Sequence, residues 1–445
     1  MSAPMPDPEE KKLVAAAAPA VAPKPAKAPL PEPVLNRKNG VLLSDRRWPT
    51  EQWARPWSLP GYRNGAYMLA GIVLGILGGG ALIGELSKWG DKLYVLIAAL
   101  AASQGVSTLA VDAVWVAIKV LIVLHIILLN GLWSIWWERK ISAHIQSRVG
   151  PTFAGGFHGW AQTILDGIKL FLKEDITPAA ADQWVHALAP AIAIAPCIAA
   201  FAPVLFGDNL AAARLDVGTL YIFAFAGISV IGVVMAGWGA GNKYSLLGGL
   251  RAAAQIVSYE LPRGFSVVPV IMFAGSLDLS VIASAQSGFW WGLVPRWFIF
   301  YPVVGQLAFL IFLIASIAET NRTPFDIPEA ESELVGGFHT EYSGMKWSVF
   351  FLTEYGYVLL ASFLLATFFL GAGGSPLPWA PFTLVPSWIW MLSKAMFMMF
   401  VFLWVRWTLP RFRVDQLMDF NWKFLLPWSF ANIAFAGIFL AFGLK

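Results

Sequence analysis

The chain has 445 residues, of which 58% are hydrophobic and 13% charged, and its formal net charge is +4. A soluble domain averages about half apolar and about a quarter charged residues. The composition therefore excludes an ordinary soluble domain and predicts a membrane protein. The single cysteine, Cys197, excludes a disulfide framework and a cysteine-ligated metal or iron–sulfur site within this chain.

The first 111 residues are predicted to form two N-terminal units. Residues 1–65 form a disordered to interfacial extension, because they begin with a Pro/Ala/Lys mixture and end with recurring Arg and Trp side chains. Residues 66–111 hold an extra transmembrane helix at 66–84 and a shorter apolar run at 93–102, which we expect as an outward-side segment.

Eight further apolar runs follow, and each is long enough to cross roughly 30 Å of hydrocarbon as a helix. They lie at 113–137, 184–206, 218–238, 252–276, 297–318, 347–371, 387–408 and 424–443. The fold class predicted is an all-α polytopic membrane protein with an eight-helix transmembrane core in the domain 112–445. Between the first two runs, residues 141–175 alternate apolar and charged side chains at helical spacing, which predicts an amphipathic helix on the cytoplasmic face.

The distribution of Lys and Arg predicts the orientation. Most of them lie before residue 66 and in the loops 138–183, 239–251 and 409–423, whereas 372–387 has none. Positive charge concentrates on the cytoplasmic side. We therefore expect a multi-pass protein of the bacterial inner membrane with a cytoplasmic N-terminus. Lys394, inside a span near its outer boundary, is explained by snorkelling to the interface.

Glu260 is the first candidate for proton handling, because ionisable residues inside spans are costly. Pro262 removes an amide donor and frees the carbonyl of Ser258. Other polar side chains step along one face of this helix, namely Arg251, Gln255 and Tyr259. The pattern favours a wet polar site in which Glu260 relays protons. A structural Glu–Arg pair is the alternative.

An acidic loop between two spans is the second candidate. Glu319 closes one span, Glu354 lies one or two turns into the next, and further acids lie between them at Asp326, Glu329, Glu331, Glu333 and Glu341. Crowded carboxylates titrate as a coupled set and can pass protons. The alternative is a solvated loop, or one neutralised by the Lys and Arg of a partner. Neither a nucleotide motif nor a His/Cys spacing suited to a metal occurs in the sequence.

Several long motifs occur in a specific order along 112–445. They are Glu138-Arg139-Lys140, Gln146-Ser147-Arg148-Val149-Gly150-Pro151, Asp166-Gly167-Ile168-Lys169-Leu170 with Lys173-Glu174, the stretch 242–260, the acidic loop through Glu341-Tyr342, and 406–413 with Asp415-Gln416. Together they resemble the H subunit of respiratory complex I, the proton-pumping NADH:quinone oxidoreductase.

The resemblance implies that this chain forms the membrane part of a quinone-binding chamber. The residues it places at the quinone site are Gln146, Arg148, Asp166, Lys169 and Arg322. Those it places on a proton-relay route are Glu174, Glu260, Glu319, Asp326, Glu329, Glu331 and Glu354. It implies quinone as substrate, no cofactor or metal bound by this chain alone, and no complete active site in it. FMN and iron–sulfur clusters are expected in soluble-arm partner subunits, beside small and antiporter-like membrane subunits.

Two other functions remain open at this point. The related membrane subunit of an energy-converting hydrogenase shares the fold without needing quinone, but the acidic loop 323–342 matches the quinone-dependent branch more fully. A stand-alone ion-coupled transporter would be expected to show internal repeats with paired broken helices. The sequence shows no convincing repeat.

Overall fold

The computed structural model describes residues 94–99, 107–155, 159–207, 210–328 and 331–443. The predicted N-terminal extension 1–65 and the predicted span 66–84 lie outside these ranges, and residues 94–99 are helical. The helices that follow are α1 (Thr108–Ile145), α2 (Gln162–Leu172), α3 (Gln183–Ala200), α4 (Gly218–Gly239), α5 (Lys243–Ala274), α6 (Leu279–Ala285), α7 (Val304–Glu319), α8 (Glu331–Leu334), α9 (Gly344–Phe369), α10 (Ala380–Thr383), α11 (Ser387–Thr408), α12 (Val414–Phe420) and α13 (Leu426–Ala441).

The last two helices are joined by a turn of π-helix at Asn421–Leu425, and we call the continuous segment Val414–Ala441 the C-terminal helix. Among the described residues, seven helices are long and apolar enough to span a membrane. They are α1, α3, α4, α5, α9, α11 and the C-terminal helix. The apolar helix α7 is shorter, with 16 residues or roughly 24 Å of length. The predicted multi-pass helical membrane protein is therefore confirmed.

The predicted span 297–318 is wrong at its start. Residues Phe298–Phe300 form a 3₁₀ turn, and α7 begins only at Val304. Pro302 has no amide donor, and Val303 takes a φ of 64°, so the helix cannot continue back through this pair. Just before the turn, the two-residue strands β1 (Phe289–Trp290) and β2 (Val294–Pro295) pair antiparallel, with Phe289 opposite Pro295 and Trp290 opposite Val294.

Helix α5 is longer than the predicted span 252–276. It begins at Lys243, where the side chain of Asn242 accepts a hydrogen bond from the amide of Tyr244. It ends at Ala274, and the capping residue Gly275 closes the helix in the left-handed conformation with a φ of 71°. Because the first turns of α5 include polar residues, apolar run length alone does not show where the helix begins.

Two prolines inside helices leave carbonyls that other elements satisfy. Pro190 frees the carbonyl of His186, which accepts a hydrogen bond from Tyr342 Oη at 3.2 Å. Burial raises the pKa of Tyr342 above its ordinary value, so the phenol stays protonated and donates. The carbonyl of Ser258, freed by Pro262 as the sequence predicted, accepts from Asn421 Nδ2 at 2.8 Å. The helices therefore stay continuous at both prolines.

Helix α9 forms much of the core, and the apolar side chains of its second half are almost all buried. It packs against α1, α3, α7 and α11, while α5 packs against α4, α7 and the C-terminal helix. The ends of α1, α7 and α11 and the starts of α3, α5 and α9 therefore meet the polar loops at one end of the bundle, which we call the charged end.

The predicted amphipathic helix is present but shorter than 141–175. Helix α1 continues to Ile145, an irregular loop follows, and α2 covers only Gln162–Leu172. Its apolar side chains Leu165, Ile168 and Phe171 are exposed, while Asp166 contacts α1. Helix α2 thus presents an apolar face beside the end of α1.

Candidate functional site

A largely buried group of charged side chains and one tyrosine occupies the charged end, and we call it the ionic cluster: Glu138, Arg322, Glu354, Arg406 and Tyr355. Arg322 lies 3.7 Å from a carboxylate oxygen of Glu138 and 3.8 Å from one of Glu354. Arg406 and the Tyr355 hydroxyl each lie 2.5 Å from a carboxylate oxygen of Glu138. One arginine thus links two carboxylates on different helices.

Four elements of the fold bring these side chains together. Glu138 lies near the end of α1, Arg322 in the loop after α7, Glu354 in α9 and Arg406 in the last turn of α11. Glu138 is 6% exposed and Arg322 3%. Buried charges are tolerated when they are paired, and here two arginines offset two glutamates. The Arg322 guanidinium also lies 4.3 Å from the centroid of the Tyr355 ring, within cation–π range.

A second buried ion pair joins α5 to α7. Arg263 is hydrogen-bonded to Glu319, and both side chains are almost fully buried. The guanidinium also lies 5.3 Å from the ring centroids of Phe223 and Phe312. Three residues before Arg263, Glu260 is half-buried against α4, where the helix carries Gly227.

A cavity of about 40 Å³ connects the two ion-pair groups, because Glu319 and Glu354 both line it. Its other polar wall residues include Thr320, Asn321 and Tyr357. A volume of about 10–15 Å³ suffices for one water when polar partners surround it. The cavity therefore has room for about two or three waters between the two carboxylates.

In the described part of the acidic loop, the acidic side chains have separate partners. Asp326 pairs with Arg411 at 2.9 Å and Glu333 with Arg251 at 2.8 Å. In the same way, Glu341 accepts from Asn242 Nδ2 at 2.6 Å, and Glu319 turns inward to Arg263. Asn321 and Val335 take positive φ values of 50° and 65°, which turn the chain between these acids. Glu329 and the side chain of Glu331 lie outside the described residues.

Four of the five predicted quinone-site residues lie near the end of α1. Gln146 and Arg148 are exposed after the end of α1, where Arg148 Nε donates to Gln146 Oε1 at 2.6 Å. Asp166 of α2 pairs with Arg139 at 2.6 Å and lies 3.8 Å from the exposed Lys169. All four thus lie around the end of α1.

Arg322 is predicted at the quinone site and Glu174 on the proton-relay route, but in the structure each lies apart from the other members of its group. Arg322 belongs to the ionic cluster and meets Glu138, the residue before Arg139. Glu174 has an exposed side chain, and its backbone carbonyl accepts from Ser343 Oγ at 3.3 Å.

On the predicted wet face of α5, Gln255 and Tyr259 are buried and donate hydrogen bonds to neighbouring elements. Gln255 Nε2 donates to the carbonyls of Ala318 and Phe325 and to Asn321 Oδ1. Tyr259 Oη donates to the carbonyl of Leu417 at 2.9 Å. These bonds fix the loop after α7 and the C-terminal helix against α5, on a face separate from Glu260.

Sequence reasoning gave no site role to four residues that matter in the structure: Glu138, Arg139, Arg263 and Arg406. Each is an ionisable residue within a helix that borders or crosses the apolar core, and that position is the signal that could have identified them. Their pairing partners lie far away in the sequence. Only the tertiary packing of the helices reveals the pairs.

Fold and site together define a class: a multi-span helical membrane protein in which buried, paired charges lead from one end of the bundle into its interior. In the described ranges, no group of three or more His, Cys, Asp or Glu side chains is placed to hold a metal ion. The family model described as NADH dehydrogenase matches residues 118–437, and the chain therefore belongs to that family.

Named relatives support the same assignment. The chain is 48% identical over 296 residues to the H subunit of the NADH-quinone oxidoreductase of Anoxybacillus flavithermus, an alignment that covers 66% of this chain and 85% of the relative. The protein of the same name in Bacillus mycoides is 49% identical, and that of Bacillus thuringiensis 48%, over the same shares.

Proposed function

We propose that this chain is the membrane subunit of an NADH:quinone oxidoreductase that forms part of the quinone-binding chamber and couples quinone reduction to proton translocation. The observation that carries the proposal is the continuous buried path from Arg322 and Glu138 through Glu354 and the cavity to Glu319. The names of the relatives favour this function over the hydrogenase and transporter alternatives.

The substrate side of the proposal lies around the end of α1. Gln146, Arg148, Asp166 and Lys169 supply polar and charged groups next to the exposed apolar face of α2. Such a face suits the apolar tail of a quinone, and the polar groups suit its carbonyl-bearing ring. Arg139 is added to this set, because it holds Asp166 against α1.

The coupling step assigned to this chain is a shift of Arg322 between two carboxylates. Its distances to Glu138 and Glu354 are nearly equal, so neither carboxylate holds it alone. Protonating one carboxylate removes its charge and favours pairing of Arg322 with the other, and this effect is strong where water is scarce. A charge change at the quinone side of α1 is thereby passed to Glu354.

From Glu354 the proposed route continues through the cavity to Glu319 and on to Glu260. Waters in the cavity supply the hydrogen-bonded connection between the first two carboxylates. Arg263 pairs with Glu319, and both of these charged groups also act electrostatically on Glu260. Asp326, with its partner Arg411, borders this route at the charged end. Glu174, Glu329 and Glu331 remain proposals on the resemblance alone.

The finer architecture is also part of the proposal. Helix α7 joins the seven longer helices as the eighth member of the transmembrane core, and the run 66–84 adds one N-terminal span. The charged end faces the cytoplasm of a bacterial cell, as the Lys and Arg distribution indicates. There it meets soluble-arm subunits that carry FMN and iron–sulfur clusters, while small and antiporter-like subunits adjoin it in the membrane.

Glu354→Gln in the assembled complex tests the proposal. We expect proton uptake by inverted membrane vesicles to fall at least fivefold during NADH oxidation by quinone. NADH oxidation by an artificial acceptor that bypasses quinone should be unchanged, which shows that the complex has assembled. Glu333→Gln is the matched control, because Glu333 forms an exposed ion pair with Arg251 outside the path. Equal proton uptake in both variants would contradict the coupling route.

A further inference from the structure

The C-terminal helix holds α5 at two points close to Pro262. Asn421 Nδ2 donates to the carbonyl of Ser258 at 2.8 Å, and Tyr259 Oη donates to the carbonyl of Leu417 at 2.9 Å. One bond runs in each direction between the two helices. The pair forms a reciprocal link at the place where α5 lacks one of its own hydrogen bonds.

Asn421 takes the role of the amide that Pro262 lacks. A proline inside a helix removes one hydrogen bond and allows a bend at that position. Asn421 is fully buried and begins the π-helical turn of the C-terminal helix. Such single π turns are frequent at functional sites. Here the turn occurs at the residue that reaches the freed carbonyl.

The segment held in this way carries two charged side chains. Glu260 lies two residues after Ser258 and faces α4, where a Cβ added at Gly227 would lie 2.8 Å from Glu260 Oε1. Arg263 directly follows Pro262 and pairs with Glu319 of α7. A change in the bend of α5 would therefore move Glu260 against α4 and alter the Arg263–Glu319 pair.

We propose that Asn421 is a positioning residue: its hydrogen bond to the Ser258 carbonyl fixes the bend of α5, and so the placement of Glu260 relative to the Arg263–Glu319 pair. This inference rests on the proposed coupling function. It assigns to the C-terminal helix a role in coupling although that helix contributes no ionisable group to the path.

Asn432 supplies a matched control on the same helix. It is also fully buried and donates from Nδ2 to a backbone carbonyl, that of Val304 at the start of α7, at 3.2 Å. Asn421→Leu and Asn432→Leu thus each remove one buried amide donor and replace it with a side chain of similar volume. They differ in whether the carbonyl left behind lies beside Glu260.

The assembled complex in inverted vesicles is used for the measurements. We expect Asn421→Leu to lower proton uptake per NADH at least twofold and Asn432→Leu to leave it within the error of the unaltered complex. Asn421→Gln keeps an amide donor and is expected to restore at least half of the loss. Equal effects of the two leucine substitutions, or no rescue by glutamine, would overturn the proposal.

Combination with Glu260→Gln separates this inference from the proposed function. If Asn421 acts through Glu260, then adding Asn421→Leu to Glu260→Gln lowers proton uptake no further, and an additional loss overturns the inference. Unchanged coupling in Glu260→Gln alone would instead overturn the assignment of Glu260 to the path.

If Asn421→Leu complexes do not assemble, Tyr259→Phe tests the inference, because it removes only the bond to the Leu417 carbonyl. It should reduce proton uptake in the same direction, and unchanged uptake would overturn the inference.

Discussion

Replacing Glu319 by glutamine provides a test of the buried ion pair between α5 and α7. Glutamine keeps the shape of the side chain but removes its charge, and so leaves the Arg263 guanidinium with a neutral partner. The exposed fractions of the two side chains are 2% for Arg263 and 7% for Glu319, so bulk solvent does not reach the pair. The substitution therefore isolates the charge from the packing.

The structure sets the magnitude of this effect. Removing one partner of a buried ion pair costs about 3–5 kcal/mol, because an uncompensated charge stays in the interior. Glu260 also acts electrostatically on Arg263, which places the expected cost at the lower end, about 3 kcal/mol. Since about 1.4 kcal/mol corresponds to a factor of ten, thermal inactivation should accelerate by up to roughly a hundredfold. The double variant Glu319→Gln/Arg263→Met removes both charges and should cost about 2–3 kcal/mol less than the sum of the single variants.

The rate of thermal inactivation of the assembled complex measures these effects, since a multi-subunit membrane protein has no well-defined two-state unfolding. Glu333→Gln serves as the control, because its pair with Arg251 is exposed and worth less than about 1 kcal/mol. The reasoning is refuted if Glu319→Gln inactivates within twofold of the control. It is also refuted if the two single effects simply add in the double variant.

Two further substitutions test close contacts in the bundle. Gly227→Ala places a Cβ 2.8 Å from Glu260 Oε1 and must displace that carboxylate; we expect lower proton uptake per NADH, whereas Gly264→Ala, whose Cβ would meet no atom within 4 Å, should leave it unchanged. Lys394→Met removes a buried ammonium that donates to three backbone carbonyls after α9, and it should speed thermal inactivation at least tenfold. The control is Lys423→Met, at an exposed i,i+4 ion pair, which should change the rate less than threefold.

Much of the fold follows from apolar run length alone. Helices α4 and α11 end within one residue of the predicted spans, because their sequences are predominantly apolar and polar loops follow them. The start of α7 could not be predicted in this way, since the Pro302-Val303 break lies inside an apolar run. Local hydrophobicity reflects how favourably side chains transfer from water into an apolar environment. The helix boundary depends instead on backbone hydrogen bonds.

The candidate site was predictable in its residue types but not in its pairings. The rarity of charge in the apolar core identified Glu260, Glu319 and Glu354 from the sequence. It also suggested that Lys394 snorkels to the interface, which stays a prediction; the structure shows its ammonium donating to three backbone carbonyls just after α9. Likewise, the acids of the loop looked crowded in sequence, but those that the structure describes each have their own partner. Charge scarcity predicts where ionisable groups matter, and tertiary packing decides which groups meet.

In the proposed coupling step, Arg322 shifts between two carboxylates of the ionic cluster. Glu138 has two closer partners, Arg406 and the Tyr355 hydroxyl, each at 2.5 Å. Arg322 lies at the longer distances of 3.7 and 3.8 Å from Glu138 and Glu354. In the proposed step, a small shift of Arg322 changes which carboxylate is nearer, while the Tyr355 ring, now 4.3 Å from the guanidinium, remains within cation–π range. By contrast, the Arg263–Glu319 contact is direct. On the proposed route, a charge change at the end of α1 therefore acts first on Arg322 and then reaches α5 through Glu354 and the cavity.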